Sequence, residues 1–117
     1  MPTTSKSLLS NEMASLSREL GTYFNSLGDR VAYSSVEESP ADRTPRSISA
    51  QLDTSACIGG LTLWESGSAF FEVIAATDGR SIVRQQCEGL GLEGARSIIQ
   101  RFVSCVMEYE EATPGAS

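Results

Sequence analysis

Near the start of the chain, apolar residues recur at steps of four and three: Leu9, Met13, Leu16, Leu20, Tyr23 and Leu27. That spacing places them on one stripe of a helix, with Glu12, Arg18, Glu19 and Asn25 on the solvated side. Gly28 falls where a left-handed residue stops a helix. The repeat is too short to establish a coiled coil, so it reads as a core-facing helix. The same pattern returns at the other end. Leu92, Ala95, Ile98, Ile99, Phe102, Val103 and Val106 share one face, which predicts a helix from Leu92 to Tyr109.

Between the two helices the period changes to two. Ile48, Ala50 and Leu52 alternate with Ser47, Ser49, Gln51 and Asp53, as in a half-buried strand. Further strands are expected at Ile58–Glu65, Ser68–Thr77 and Arg80–Cys87. Ser66-Gly67 and Asp78-Gly79 are candidate two-residue turns, and such short links join antiparallel neighbours. The stretch 29–46 holds Pro40, Pro45 and a mixed run of charges, and reads as a surface connection that leaves room for a short element around Arg30–Val36. The fold class is therefore α+β: a four-stranded antiparallel meander flanked by an N-terminal and a C-terminal helix. Residues 1–117 form one domain, with fraying expected at 1–6 and 110–117.

Two-residue loops would set Trp64 opposite Ala69 and Val73 opposite Arg84. One face of the sheet would then carry Ile58, Trp64, Phe71, Val73, Ala75 and Ile82, interrupted by Thr62 and Arg84. The other would carry Leu61, Leu63, Phe70, Ile74, Val83 and Cys87, interrupted by Glu72 and Gln85. An unpaired buried carboxylate costs several kcal/mol, whereas the long stem of Arg84 can lie along apolar surface. On that basis Trp64, Phe71 and Val73 are assigned to the core, and Glu72 to a more open, largely apolar face suited to docking. If each helix instead covers one face, nothing is left open. The candidate partner-binding residues are Leu61, Leu63, Glu65, Phe70, Glu72 and Gln85.

Composition narrows the chemistry. The 117 residues carry 15 acids, nine bases and no histidine, a formal charge of -6. An acidic chain repels phosphate, which disfavours direct nucleic-acid binding and favours a basic protein partner. Without histidine, the usual general base near neutral pH and the commonest zinc ligand are missing. Cys57, Cys87 and Cys105 show no CxxC spacing and read as reduced thiols of a cytoplasmic protein. No secretory leader or membrane-spanning run is apparent. Gly89-Leu90-Gly91-Leu92-Glu93-Gly94 matches GxGxxG between a strand and a helix, but no following strand completes a dinucleotide-binding unit. No catalytic residues, cofactor or metal are expected, and an enzyme is not indicated.

The segment Leu61-Thr62-Leu63-Trp64-Glu65-Ser66-Gly67-Ser68-Ala69-Phe70-Phe71-Glu72-Val73, followed by Thr77-Asp78-Gly79, resembles bacterial TriTu immunity proteins. Those proteins are found with contact-dependent growth inhibition systems, and the likeness covers roughly residues 55–105. The resemblance implies a cytoplasmic antidote that binds a cognate toxin domain delivered by neighbouring bacteria. It further implies that the toxin is a basic nuclease cleaving tRNA, with elongation factor Tu involved only through the toxin. It supplies no catalytic site. Competing readings are an acidic dimeric secretion chaperone that binds an effector segment, and a small-molecule-binding module.

Overall fold

The computed structural model describes residues 8–40, 42 and 46–112. In chain order the elements are α1 (Ser10–Asn25), a 3-10 turn (Gly28–Arg30), β1 (Tyr33–Glu38), β2 (Ser47–Asp53), β3 (Cys57–Trp64), β4 (Ala69–Ala75), β5 (Ser81–Cys87) and α2 (Leu92–Glu111). All neighbouring strands pair antiparallel in the order β1-β2-β3-β4-β5. The α+β class with its two helices stands as expected.

The sheet has five strands rather than four. The additional strand, β1, occupies the first part of the 29–46 stretch. It is an edge strand in which Tyr33, Glu37 and Glu38 are exposed and Val36 packs against the core. A strand with so little apolar anchoring carries almost no alternation to detect. At the other end, α2 continues through Glu110 and Glu111, and Arg30 pairs with both carboxylates. The expected fraying at 1–6 and 113–117 lies outside the described residues.

Both helices lie on the same side of the sheet, α1 over β1 and β2, and α2 over β3, β4 and part of β2. Between sheet and helices is a single core in which Leu16, Leu20, Leu52, Phe71 and Phe102 are fully buried. Phe71 and Phe102 meet edge to face, with centroids 5.6 Å apart, a geometry that aromatic quadrupoles favour. Beneath α2, Gly59 lets the helix approach closely. A Cβ built there would lie 2.8 Å from Val106 Cγ2 and 2.9 Å from Phe102 Cε1. Leu8 is buried ahead of α1, and its N–H donates to the Glu65 carbonyl at 2.8 Å.

The observed register corrects the expected sorting of side chains. Leu63, not Trp64, stands opposite Ala69, and Val73 stands opposite Val83 rather than Arg84. The β3–β4 loop has three residues, Glu65-Ser66-Gly67, closed by Trp64 N–H to Ser68 O, with Gly67 at φ +94°. The β4–β5 loop has four residues, Ala76 to Gly79, with Gly79 at φ +75° and the strands' pairing irregular just beyond it. The β3–β4 loop shifts the pairing by one residue, whereas the β4–β5 loop shifts it by two and the irregularity between Val73 and Ile74 takes one back. Both strands therefore end one residue out of the expected register, and a one-residue slip exchanges the two faces. The side chains of β3 and β5 are exchanged relative to β4. Leu61, Leu63, Val83, Gln85 and Cys87 join Phe71 and Val73 on the helix side, while Ile58, Thr62, Trp64 and Arg84 join Phe70 and Glu72 on the other.

Candidate functional site

With both helices on one side, the opposite sheet face has no covering element among the described residues. Its side chains run in rows across the strands. Tyr33, Asp53, Ile58 and Ile74 form one row, and Glu37, Ser49, Thr62 and Phe70 form another. Between them lies a row of different character: Ser35, Gln51, Gly60, Glu72 and finally Arg84 on β5. Tyr33 is 53% exposed and Ile58 is 40% exposed, large values for residues of a sheet interior or its apolar rim.

Gly60 sits at the centre of the middle row, and a Cβ built on it would meet nothing within 4 Å. The missing side chain leaves a furrow. Two contiguous depressions of about 320 and 380 Å³ share Ser49, Ile58 and Gly60 and together reach from β1 to β4. Ile58 and Ile74 wall the furrow on one side, and Thr62 and Phe70 on the other, with Glu72 at its β4 end. Its charged lining residues are Glu37 and Glu72, set among the neutral polar Ser35, Ser49, Gln51 and Thr62. Asp53 Oδ2 accepts a hydrogen bond from Gln51 Nε2 at 2.9 Å, while Asp53 Oδ1 is buried without a partner.

Glu72 is engaged only loosely. Its Oε2 lies 3.7 Å from Arg84 Nε, with the two side chains 35% and 66% exposed. The Arg84 guanidinium rests 5.8 Å from the centroid of the Phe70 ring. Phe70 thus holds the arginine near the carboxylate by a cation–π contact. A separation of 3.7 Å is longer than a charge-assisted hydrogen bond, so the Glu72 oxygens retain acceptor capacity.

The structure separates the six residues expected to form one binding patch. Phe70 and Glu72 lie together on the uncovered face. Leu61 and Leu63 are 2% and 0% exposed in the core, because the register places them under the helices. Gln85 stands opposite Phe71 on the helix side and accepts from Arg101 Nη1 at 3.1 Å. Glu65 is in the β3–β4 loop, where its carboxylate accepts the Arg46 N–H. Sequence reasoning missed Gly60, Tyr33 and Ile58 as parts of the face. The adjacent Gly59-Gly60 pair was the available signal, since one strand glycine marks close approach of another element and its neighbour faces the opposite way.

Other features of the chain carry no comparable geometry. The Gly89–Gly94 segment is the lead-in to α2, with Gly91 at its N-cap and Gly89 at φ +70°. Among the described residues no cluster of three or more His, Cys, Asp or Glu side chains could hold a metal ion. No described helix is long and apolar enough to cross a membrane.

Comparison with known proteins gives one family. A model described as "Immunity protein TriTu" matches residues 18–105, from the middle of α1 through all five strands and most of α2. The match takes in β1 and β2, beyond the 55–105 span that carries the sequence resemblance. No curated protein matches the chain.

Proposed function

The chain belongs to the TriTu immunity protein family, and we propose that it neutralises its cognate toxin by stoichiometric binding through the uncovered sheet face. The observation that carries this reading is the combination of a family match spanning the whole sheet with a sheet face that no described element covers. A large exposed apolar surface rimmed by polar groups is typical of a protein–protein interaction site. On this face Ile58, Phe70 and Ile74 provide the apolar contact, and Glu72, Glu37 and Asp53 give it an acidic cast.

The toxin is a basic nuclease that cleaves tRNA and is delivered by contact-dependent growth inhibition. The formal charge of -6 suits such a partner, because opposite charge steers encounter and fixes orientation. The antidote acts in the cytoplasm as a binder and not as an enzyme, and elongation factor Tu enters only through the toxin. Phe70 and Glu72 are the residues of the original six that remain in this docking surface.

The test begins by locating the gene's neighbours and uses the C-terminal domain of a long secreted protein where one is encoded beside it. Expressed alone in the cytoplasm, that domain should arrest growth and deplete intact tRNA. Co-expression of this chain should restore both and yield a stable complex on gel filtration. Persistent arrest in the presence of soluble chain, with no complex formed, would refute the reading. Intact tRNA during arrest would refute its tRNA-nuclease component alone.

A further inference from the structure

We infer that the furrow over Gly60 is a receptor for a single cationic side chain, a lysine or arginine of the partner, whose aliphatic stem crosses Gly60 and whose charged head ends on Glu72. The inference rests on the docking role of the uncovered face and specifies what that face recognises. The bare Gly60 backbone lies between Gln51 of β2 and Glu72 of β4. Neighbouring strands are about 4.8 Å apart, so Gln51 to Glu72 spans about 9.6 Å, which an extended lysine or arginine covers together with the hydrogen bond of about 2.9 Å that its head makes to Glu72. The walls suit the stem, with Ile58 and Ile74 on one side and Phe70 on the other. Long cationic side chains commonly bury an apolar stem while presenting the charge to a polar group.

Charge selects the head group. Glu72 closes the furrow, and Glu37 and Asp53 lie in the two flanking rows nearer β1. Of these, Glu72 at the β4 end and Glu37 at the β1 end line the furrow itself, which places a carboxylate at each end.

Arg84 gives the site its second property. It is this chain's own cation, held near Glu72 by the Phe70 ring but 3.7 Å away and 66% exposed. Arg84 acts as a placeholder: it partly neutralises Glu72 in the free protein and swings away when a better-seated cation arrives along the furrow. The site is then selective in a defined sense. A cation with an aliphatic stem is favoured over a bare ion, because a bare ion gains nothing from Ile58, Ile74 and Phe70.

The experiment is a titration of the isotope-labelled protein with n-butylguanidinium chloride, followed by amide chemical shifts, with sodium chloride at matched ionic strength as control. Saturable shifts centred on Gly60, Glu72 and Ile74 are expected with the guanidinium and not with sodium. Gly60→Leu, which fills open space on an existing strand, and Glu72→Gln should each abolish saturation, while Arg84→Ala should tighten binding. Linear shifts equal to those of sodium chloride, saturation unchanged in both Gly60→Leu and Glu72→Gln, or weakening by Arg84→Ala would each overturn the inference. The same variants are then measured against the toxin domain. A loss of about thirtyfold or more in affinity is expected for Gly60→Leu and Glu72→Gln, the scale for an unpaired interfacial charge. Wild-type affinity in both folded variants overturns the furrow while leaving the immunity role intact. Failure of the parent protein to bind the toxin at all refutes the immunity role, and the guanidinium titration still decides the furrow.

Discussion

Glu19 of α1 and Arg96 of α2 form a two-pronged ion pair, with Nε to Oε1 at 3.0 Å and Nη2 to Oε2 at 2.7 Å. The pair joins the two helices across the top of the core, and the Ser15 hydroxyl also donates to Glu19. Hydrogen bonding to Arg96 holds the Glu19 carboxyl below the usual glutamate range, against the opposing effect of burial.

Because the folded-state pKa is depressed, stability from Glu19 is present above the ordinary glutamate value and lost as pH falls through the lowered one. Glu88, held down by the Ser68 hydroxyl and Gln86, acts in the same direction. Urea midpoints of the parent should therefore fall between about pH 6 and pH 3, and Glu19→Gln should flatten that decline. An identical pH slope in parent and variant would show that the pair is neutral to stability, as many exposed pairs are.

Gly59→Ala tests the seat of α2. The added methyl group would approach Val106 and Phe102 within 3 Å, forcing both core side chains to move. A loss of about 1–3 kcal/mol is expected, the range for overpacking a close-packed core, measured as a shift in denaturation midpoint. Gly60→Ala, one residue along and facing open space, should leave the midpoint nearly unchanged. Equal effects at the two positions would contradict the assignment of faces.

Phe71→Ala should cost about 3–5 kcal/mol, since it empties a fully buried aromatic site. Trp64, half-buried on the other face, should cost clearly less when replaced by alanine. Thermal melts of the two variants decide the point, and a larger loss at Trp64 would restore the core position that two-residue turns imply for it.

The helices were legible because each has one apolar side: Met13, Leu16 and Leu20 in the first, Ile98, Phe102 and Val106 in the second. Strand β2 was legible because Ile48, Ala50 and Leu52 alternate cleanly with polar residues. The faces of β3 and β5 were not, since both sides of the central hairpins carry large apolar residues and only the loop lengths, with the pairing irregularity between Val73 and Ile74, decide between them. Ser66-Gly67 and Asp78-Gly79 are turn signals whether the loop holds two residues or more, and the extra residue in the β3–β4 loop moved Trp64 out of the core and Leu63 into it. Glu72 was placed on the open face because a mid-strand carboxylate is costly to bury, and that argument holds independently of register.

Association with a basic toxin domain should slow as salt rises. The screening length is about 8–10 Å at physiological ionic strength, so added salt weakens steering at a distance more than contacts already formed. Stopped-flow association at low and high salt should show a reduced on-rate with a smaller change in off-rate. A salt-independent on-rate would mean that the acidic charge plays no part in encounter.

The three thiols should separate by reactivity. Cys57 is fully buried beneath α2, with its thiol pushed up by burial and directed at the Val106 carbonyl. Cys87 and Cys105 are partly exposed, and burial also raises the Cys105 thiol. Ellman's reagent should therefore label two sites on the native protein and the third only on unfolding. Rapid native labelling of Cys57 would show that α2 lifts from the sheet.

In the β1-β2-β3-β4-β5 order every strand's partner is also its neighbour in the chain, and this has a kinetic consequence. Strand pairing requires only short loops to close, so the sheet can grow hairpin by hairpin, with none of the delay that distant pairings impose. The distant closures left lie outside the strand ladder, among them the meeting of the two helices across the 77 residues that separate Glu19 from Arg96. Substitutions in the β3–β4 hairpin are therefore expected to slow folding, whereas loss of the Glu19–Arg96 pair should chiefly speed unfolding.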